Sequence, residues 1–242
     1  MLKQFYTAVL YQPLFNVLIW LYNIIPGNDL GIAIIFLTIF VKIILYPFFT
    51  QSIKAQKALA NLQPKIDELN KKYKDQKDKL GQAMMELYRQ EKVNPFSSCL
   101  PLLIQLPFLL AVYQVFIQGL KNGSLNLLYP FIKNPGSINT ISLGIVDLSK
   151  RSIIIAILAG IAQFWQSKMM ITKKAMSQSS NTMTSNMNKQ MLYLMPLLTV
   201  FIGSSLPAGL TLYWFFTTIL SGLQQLIILK KSEKVSLASK NK

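Results

Sequence analysis

One lysine inside an apolar run carries most of the chemistry this sequence offers. Lys42 sits between Val41 and Ile43, in a stretch from Gly31 to Phe49 that holds no other charge. A charge near a bilayer centre costs about 2.5–3.5 kcal/mol on insertion scales, so it is kept there for a reason or moved to an edge. Thr38 lies four residues earlier, on the same helical face. Gln105 lies in a second apolar run, Gln163 and Gln166 in a third, and Thr211, Thr217 and Thr218 in the last, where Tyr213 and Trp214 add an apolar margin. Such a set can attract anions and replace the hydrogen bonds of lost water. It lacks the usual groups for intramembrane hydrolysis. The chain has no His, which removes Ser–His nucleophiles and His-ligated zinc. No Asp or Glu lies in any of the long apolar runs, which removes an aspartyl dyad and carboxylate proton relays. Cys99 is the single cysteine; it excludes an internal disulfide and a Cys-cluster zinc site and reads as a small buried apolar residue. No glycine-rich phosphate loop is present. The sequence predicts no enzyme, no metal and no cofactor.

Two readings of Lys42 stand open. In one, its stem snorkels toward headgroups, about 10 Å away at the helical rise. In the other, it faces a hydrated cavity open to the cytoplasm, lined by Thr38 and the polar groups of the other spans. Each of those polar groups alone also serves as an interhelical hydrogen-bonding residue.

The elements that must position these residues follow from composition and length. Of 242 residues, 52% are hydrophobic and 14% charged, with a formal net charge of +16; soluble domains carry about 25% charged residues. A span needs about 20 mostly apolar residues, and five segments approach that: 31–53, 96–117, 152–170, 191–206 and 207–229. The fourth is short and contains Pro196. Eighteen cations fall in the segments 54–95, 171–190 and 230–242, against five on the opposite side (Lys3, Lys121, Lys133, Lys150 and Arg151). Loops rich in Lys and Arg stay cytoplasmic, so the N-terminus is expected outside and the C-terminus in the cytoplasm. The expected fold class is an all-α membrane protein of five transmembrane helices, with an outer amphipathic helix and a cytoplasmic helical hairpin.

The outer helix is expected within 1–30. Leu14, Val17, Leu18, Leu21, Ile24 and Ile25 recur at helical spacing, and Pro26-Gly27-Asn28-Asp29 ends the run. Too short to span, it is expected in the interface with Tyr6, Tyr11, Trp20 and Tyr22 as aromatic anchors; a sixth span is the rival. In 54–95, Leu59, Leu62, Ile66, Leu69 and Tyr73 form a heptad-like seam. A charged tip interrupts it and a helical period resumes at Leu80, Met84 and Leu87, as two antiparallel helices would. Pro64 is expected to kink the first or mark its start. The outer loop is 118–151, the cytoplasmic loop 171–190 is polar (Ser177 to Thr182), and 230–242 is a basic tail.

These residues resemble the YidC family of membrane protein insertases. The resemblance rests on Tyr11-Gln12-Pro13-Leu14-Phe15, Leu37-Thr38-Ile39-Phe40-Val41-Lys42 running to Tyr46-Pro47, Leu62-Gln63-Pro64-Lys65-Ile66 and Met84-Met85-Glu86-Leu87-Tyr88. It is strongest at Glu91-Lys92-Val93-Asn94-Pro95 and Leu102-Leu103-Ile104-Gln105-Leu106-Pro107, and Pro207-Ala208-Gly209-Leu210 with Leu212-Tyr213-Trp214 completes it. It covers nearly the whole chain and is that of a short bacterial-type member without a large outer domain.

The resemblance implies a five-span core in the bacterial cytoplasmic membrane and a positively charged groove, open to cytoplasm and lipid and closed to the outside. The family's groove cation is ordinarily an arginine, and Lys42 takes that position; arginine grips carboxylates bidentately, whereas lysine is a point charge. Thr38, Gln166, Tyr213 and Trp214 match groove or substrate-contacting positions, and Gln105 matches a polar position. Implied partners are nascent membrane proteins and the lipid bilayer, with the ribosome, targeting factors and the main secretion translocon beyond them. The basic tail is positioned to meet ribosomal RNA by phosphate attraction or anionic lipid. A small channel or transporter, with Lys42 as an anion site, is the alternative; it calls for an internal repeat, which the sequence does not display.

Overall fold

The structure, a computed structural model, describes residues 2–74, 76–98, 100–119, 124–170 and 190–240. Cys99, Lys121 and the loop residues from Lys173 to Lys189, Ser177 to Thr182 among them, lie outside the described residues. The described chain is mostly helical, with one two-stranded ribbon, and it divides into two compact units.

The first unit comprises Met1–Leu45, Leu102–Gln163 and Leu197–Leu220. It opens with α1 (Leu2–Tyr6), which passes through a π-helical turn (Thr7–Tyr11) into α2 (Gln12–Ile24). Pro13 stands in the first turn of α2, where no backbone N–H is required. Leu14, Phe15, Leu18, Ile19 and Tyr22 are buried along one face while Trp20 and Ile24 are exposed, the periodicity of a two-faced helix. Two of the expected interfacial anchors are otherwise engaged. Tyr22 is buried and its hydroxyl accepts the Asn139 N–H at 2.9 Å; Tyr11 is buried and stacks on Phe15 with ring centroids 6.1 Å apart. Trp20 keeps the exposure that an anchor needs.

Gly27 and Asn28 take positive φ values of 81° and 50° in the turn that follows, a conformation glycine and asparagine tolerate. Asp29 then caps α3 (Leu30–Lys72): its carboxylate accepts the Ile32 N–H at 2.9 Å and its carbonyl the Ala33 N–H. The same carboxylate accepts the Ser142 hydroxyl at 2.7 Å and the Leu143 N–H at 2.5 Å. Those partners belong to a ribbon of β1 (Ile141–Ser142) and β2 (Val146–Asp147), antiparallel, with Ile141 opposite Asp147.

The rest of the first unit lies on three further helices. They are α5 (Leu100–Gln114), continued by a π-helical turn (Val115–Gly119), α6 (Ile153–Met170) and α7 (Met195–Ser205). The last helix, α8 (Ala208–Lys240), starts where Ala208 and Gly209 donate their N–H groups to the carbonyls of Lys150 and Leu148. Gly209 packs directly on the Phe116 ring, and a β-carbon there would collide with it.

The second unit comprises Tyr46–Pro101, Phe164–Pro196 and Ser221–Lys242. The expected span 31–53 and the first hairpin helix are one helix, α3, 43 residues long with Pro47 and Pro64 inside it. Pro64 therefore neither starts nor ends a helix. A proline lacks the N–H that would bond the carbonyl four residues earlier, that of Ile43 for Pro47 and of Ala60 for Pro64. Near Pro47, Gln224 Nε2 donates to the Tyr46 carbonyl at 3.1 Å and to Thr50 Oγ1 at 3.0 Å. The return helix is α4 (Lys77–Gln90), which has no buried residue. Lys65 and Glu91 form an ion pair between α3 and the end of α4, and Ser52 donates to the Ser97 carbonyl at 2.9 Å. Of the expected seam, Leu62 and Ile66 are buried while Leu59, Leu69 and Tyr73 are half-buried.

Among the described residues two helices are long and apolar enough to cross a membrane, Leu30–Lys72 and Ala208–Lys231; Leu103–Ile117, Ile153–Met169 and Leu192–Ser205 are apolar and shorter. Large apolar side chains are turned outward in numbers that a soluble surface does not carry. On α6, Ala156, Ala159 and Ala162 are buried while Ile153, Ile154, Ile157, Leu158 and Ile161 are exposed, and Leu197 and Phe201 of α7 are exposed as well. Small residues inside and large apolar ones outside are the packing of helices in lipid, and such an exposed surface exceeds what a soluble monomer presents. This is an all-α fold built for a membrane.

Candidate functional site

The site is best built from α3. Leu37, Thr38, Val41, Lys42 and Leu45 are buried, whereas Phe36, Phe40, Ile43 and Ile44 are exposed. The split is sharp at the cation: Lys42 is 9% exposed and Ile43, the next residue, 68%. The lysine therefore stands on the interior face, not among the apolar side chains turned outward. Thr38, one turn before it, is fully buried, and its hydroxyl donates to the Ile34 carbonyl at 2.7 Å. With the proton so committed, Thr38 offers its oxygen as an acceptor.

Tyr213 of α8 is almost fully buried and its hydroxyl accepts Gln105 Nε2 of α5 at 3.0 Å. Two of the sequence-predicted residues are thus joined directly. Trp214, next to Tyr213, is half-buried, and its carbonyl accepts the Thr218 hydroxyl at 2.9 Å. Thr211 donates to the Gly203 carbonyl at 3.0 Å, locking α7 to α8. Gln163 is half-buried on α6 in this unit, and Gln166 is half-buried on the same helix in the second unit.

Sequence reasoning missed much of the buried polarity. In the first unit Thr199 is buried, as are the expected Thr211, Thr217 and Thr218, and in the second unit Ser221, Gln224 and Gln225 are buried. On α8 the polar residues 211, 218 and 225 are seven apart and 217, 221 and 224 are four and seven apart, so they line one broad face. That spacing was the available signal. Gln225 Nε2 is buried with no hydrogen-bond partner among the described residues, an arrangement that costs stability unless a water or ligand supplies the bond. Within the first unit the candidate site comprises the buried Lys42 and Thr38, the Gln105–Tyr213 pair and the buried hydroxyls of Thr211, Thr217 and Thr218. It can hold an anion or hydrogen-bond a peptide. Among the described residues no group of acidic, His or Cys side chains is arranged to hold a metal.

Comparison with known proteins carries the assignment further. The family model described as "60Kd inner membrane protein" matches residues 20–235. A Clostridium tetani protein named membrane protein insertase YidC is 35% identical over 218 residues, 89% of this chain and 88% of that protein. Proteins of the same name are 33% identical over 90% of this chain in Aeromonas salmonicida and 35% identical over 96% of it in Psychromonas ingrahamii. This chain spans 36% and 37% of those two longer relatives. Lipid-type packing, apolar helices and a match to most of the chain lead to one conclusion: this protein belongs to the 60Kd inner membrane protein family, the family of the YidC proteins.

Proposed function

We propose that this protein is a membrane protein insertase and chaperone, which integrates newly made membrane proteins into the bacterial cytoplasmic membrane. The observation that carries the mechanism is the burial of Lys42 on the inner face of a helix whose other face is lined with exposed Phe and Ile. A lysine that only snorkelled to headgroups would share the face of Ile43. In the proposed mechanism, water enters from the cytoplasm into a groove beside Lys42, which shortens the low-dielectric path for the polar tail of an incoming chain. The ammonium attracts acidic residues of that tail. Thr38, Gln105 and Gln166 replace the hydrogen bonds that the tail loses with water. The apolar segment slides past Tyr213 and Trp214 and leaves laterally, driven by burial of its apolar area at about 25 cal/mol per Å². No nucleotide is consumed.

The five segments 31–53, 96–117, 152–170, 191–206 and 207–229 serve as spans in this reading, with the N-terminus outside and the hairpin and tail in the cytoplasm. The hairpin receives the emerging chain or its targeting factors, and the basic tail faces the ribosome.

The test is insertion of single-span substrates with acidic N-terminal tails by Lys42→Ala, Lys42→Glu and Lys42→Arg variants. Lys42→Arg is expected to retain insertion. Lys42→Ala should slow it and Lys42→Glu should slow it most, because a carboxylate repels the same tail. Full activity of both the Ala and Glu variants would remove the charge from the mechanism. Crosslinkers at Thr38 and Trp214 should capture a stalled nascent chain.

A further inference from the structure

The ribbon β1–β2 carries a feature that insertion does not use. Its turn closes with the Ile145 N–H donating to the Ser142 carbonyl at 3.0 Å, and both residues between them have positive φ, Leu143 at 51° and Gly144 at 70°. Turns of that handedness favour Asn-Gly, because a side chain with a β-carbon is disfavoured in the left-handed region. Leucine is therefore not there for the turn. It is 71% exposed, and Ile145 beside it is 83% exposed, with Ile141 also exposed across the buried Ser142. No Lys, Arg, Asp or Glu occurs in 134–146. This apolar tip is held rigidly. Asp29 accepts from Ser142 and Leu143, and on the far strand Asp147 accepts the Thr140 hydroxyl at 2.9 Å and the Ser149 hydroxyl at 2.6 Å.

The same bonds fix its depth. Asp29 is the N-cap of α3, and the carbonyls of Leu148 and Lys150 accept the first N–H groups of α8. These are the two helices long enough to cross a bilayer. A ribbon tied to the N-terminal ends of both lies at the level where the chain passes between lipid and water. From this placement we infer that Ile141, Leu143 and Ile145 form a lipid anchor, a turn that dips into the interface of the leaflet from which the N-terminal ends of α3 and α8 emerge. The occupant is phospholipid. Apolar side chains gain by leaving water at that depth, no side chain of 134–146 carries a charge to desolvate, and the Asp29 carboxylate keeps its hydrogen bonds from Ser142 and Leu143. The anchor pins the outer ends of α3 and α8 to one depth.

The experiment uses the full chain with Cys99→Ala, which leaves no other thiol, and Ile145→Cys carrying a polarity-sensitive fluorophore. The protein is reconstituted in vesicles of phosphatidylethanolamine and phosphatidylglycerol, some with nitroxide lipids labelled near the headgroup or deep in the acyl chain. Emission should shift to the blue relative to the free dye in buffer, and the shallow nitroxide should quench it more than the deep one. This result does not depend on the direction of reconstitution. Emission at the aqueous position with no quenching by either lipid would overturn the proposal. Shielding from iodide without nitroxide quenching would overturn it too, because protein then covers the tip; dilution below one copy per vesicle would show whether that protein is a second copy. As a second variant, Leu143→Asp with Ile145→Asp should abolish nitroxide quenching of a probe at Ile141→Cys, with an unchanged helical circular dichroism spectrum. Quenching that persists in that variant would refute the role of the two side chains.

Discussion

At the scale of the residue, two carboxylates outside the spans, Asp29 and Asp147, act as fasteners, and their titration makes that visible. Burial works to raise the Asp29 carboxyl, but donors from Leu143, Ser142, Ile32 and Gly31 outweigh it and hold the group below the usual carboxylate range. The Ser149 hydroxyl is the largest influence on Asp147 and, with the Ser149 N–H, Thr140 and Lys150, brings it down to about 2 against the opposing effect of burial. Both folded values lie below the unfolded ones, so the folded state binds fewer protons. The stabilisation is complete above the unfolded carboxylate value of about 4 and is lost as pH falls through the folded values, toward about 2 for Asp147. The thermal midpoint in detergent should fall across that window, and an Asp29→Asn, Asp147→Asn protein should show a flatter curve. Parallel curves would deny the two carboxylates this role. A second prediction concerns the Gln105–Tyr213 bond. Tyr213→Phe should cost about 1 kcal/mol, the net worth of one hydrogen bond plus the partner left unsatisfied, read as a lowered thermal midpoint. Gln105→Leu added to it should recover part of the loss. Lys42 and Thr38 were legible in the sequence because a charge in an apolar run announces itself. The Gln105–Tyr213 pair was not, because its members are 108 positions apart and only folding brings them together.

At the scale of the element, close approach of helices rests on small residues at defined points. Gly209 lies against the Phe116 ring, and Gly203 against Ala156 and Thr211, where a β-carbon at Gly203 would stand 3.1 Å from Thr211 Cγ2. Gly209→Ala should therefore cost about 1–3 kcal/mol, as overpacking does. The loss should show as a lower midpoint, and Phe116→Leu in the same chain should restore part of it by vacating the space. Equal midpoints for Gly209→Ala and the unchanged protein would mean that the ring moves freely and the contact fixes nothing. The apolar segments themselves were readable from length and charge alone. What the residues concealed was continuity: the segments 31–53 and 54–95 read as a span and a separate hairpin, with Pro64 expected to kink the first hairpin helix or mark its start, yet α3 runs from Leu30 to Lys72 through both Pro47 and Pro64. Local pattern carries no sign of what lies beside that helix: next to Pro47 the side chain of Gln224, far along the sequence, donates to the Tyr46 carbonyl. The anchor role expected of Tyr11 and Tyr22 failed for a related reason. A tyrosine at helical spacing serves the interface or the interior equally well, and here the partner of Tyr22 is a backbone N–H in a remote loop.

At the scale of the whole molecule, the asymmetry of charge predicts sidedness, and α5 is the segment that decides it. Its fifteen α-helical residues are followed by five π-helical ones, Val115–Gly119, a length close to the hydrocarbon thickness of about 30 Å. No acidic or basic residue occurs in 96–120, while ten cations precede it in 54–95. If α5 crosses, residues before and after it face opposite compartments; if it folds back, they share one. Gln82 on α4 and Ser137 in the loop beyond α5 are both exposed, so a thiol at either is reachable. In a Cys99→Ala background, Ser137→Cys should react with a membrane-impermeant maleimide in intact cells, and Gln82→Cys only after permeabilisation. The pairing matters more than either result alone, since among the described residues α5 is the single apolar helix between the two positions. Labelling of both in intact cells, or of neither, would return α5 to the same side and reduce the number of crossings to an even one. The termini would then share a compartment, and the ten cations of 54–95 would lie on the same face as Lys133, Lys150 and Arg151, a distribution that positive-inside insertion disfavours. Opposite labelling instead sets the cationic hairpin and the uncharged turn around Leu143 on opposite surfaces, one suited to meeting an acidic or phosphate-rich partner and the other to resting in lipid.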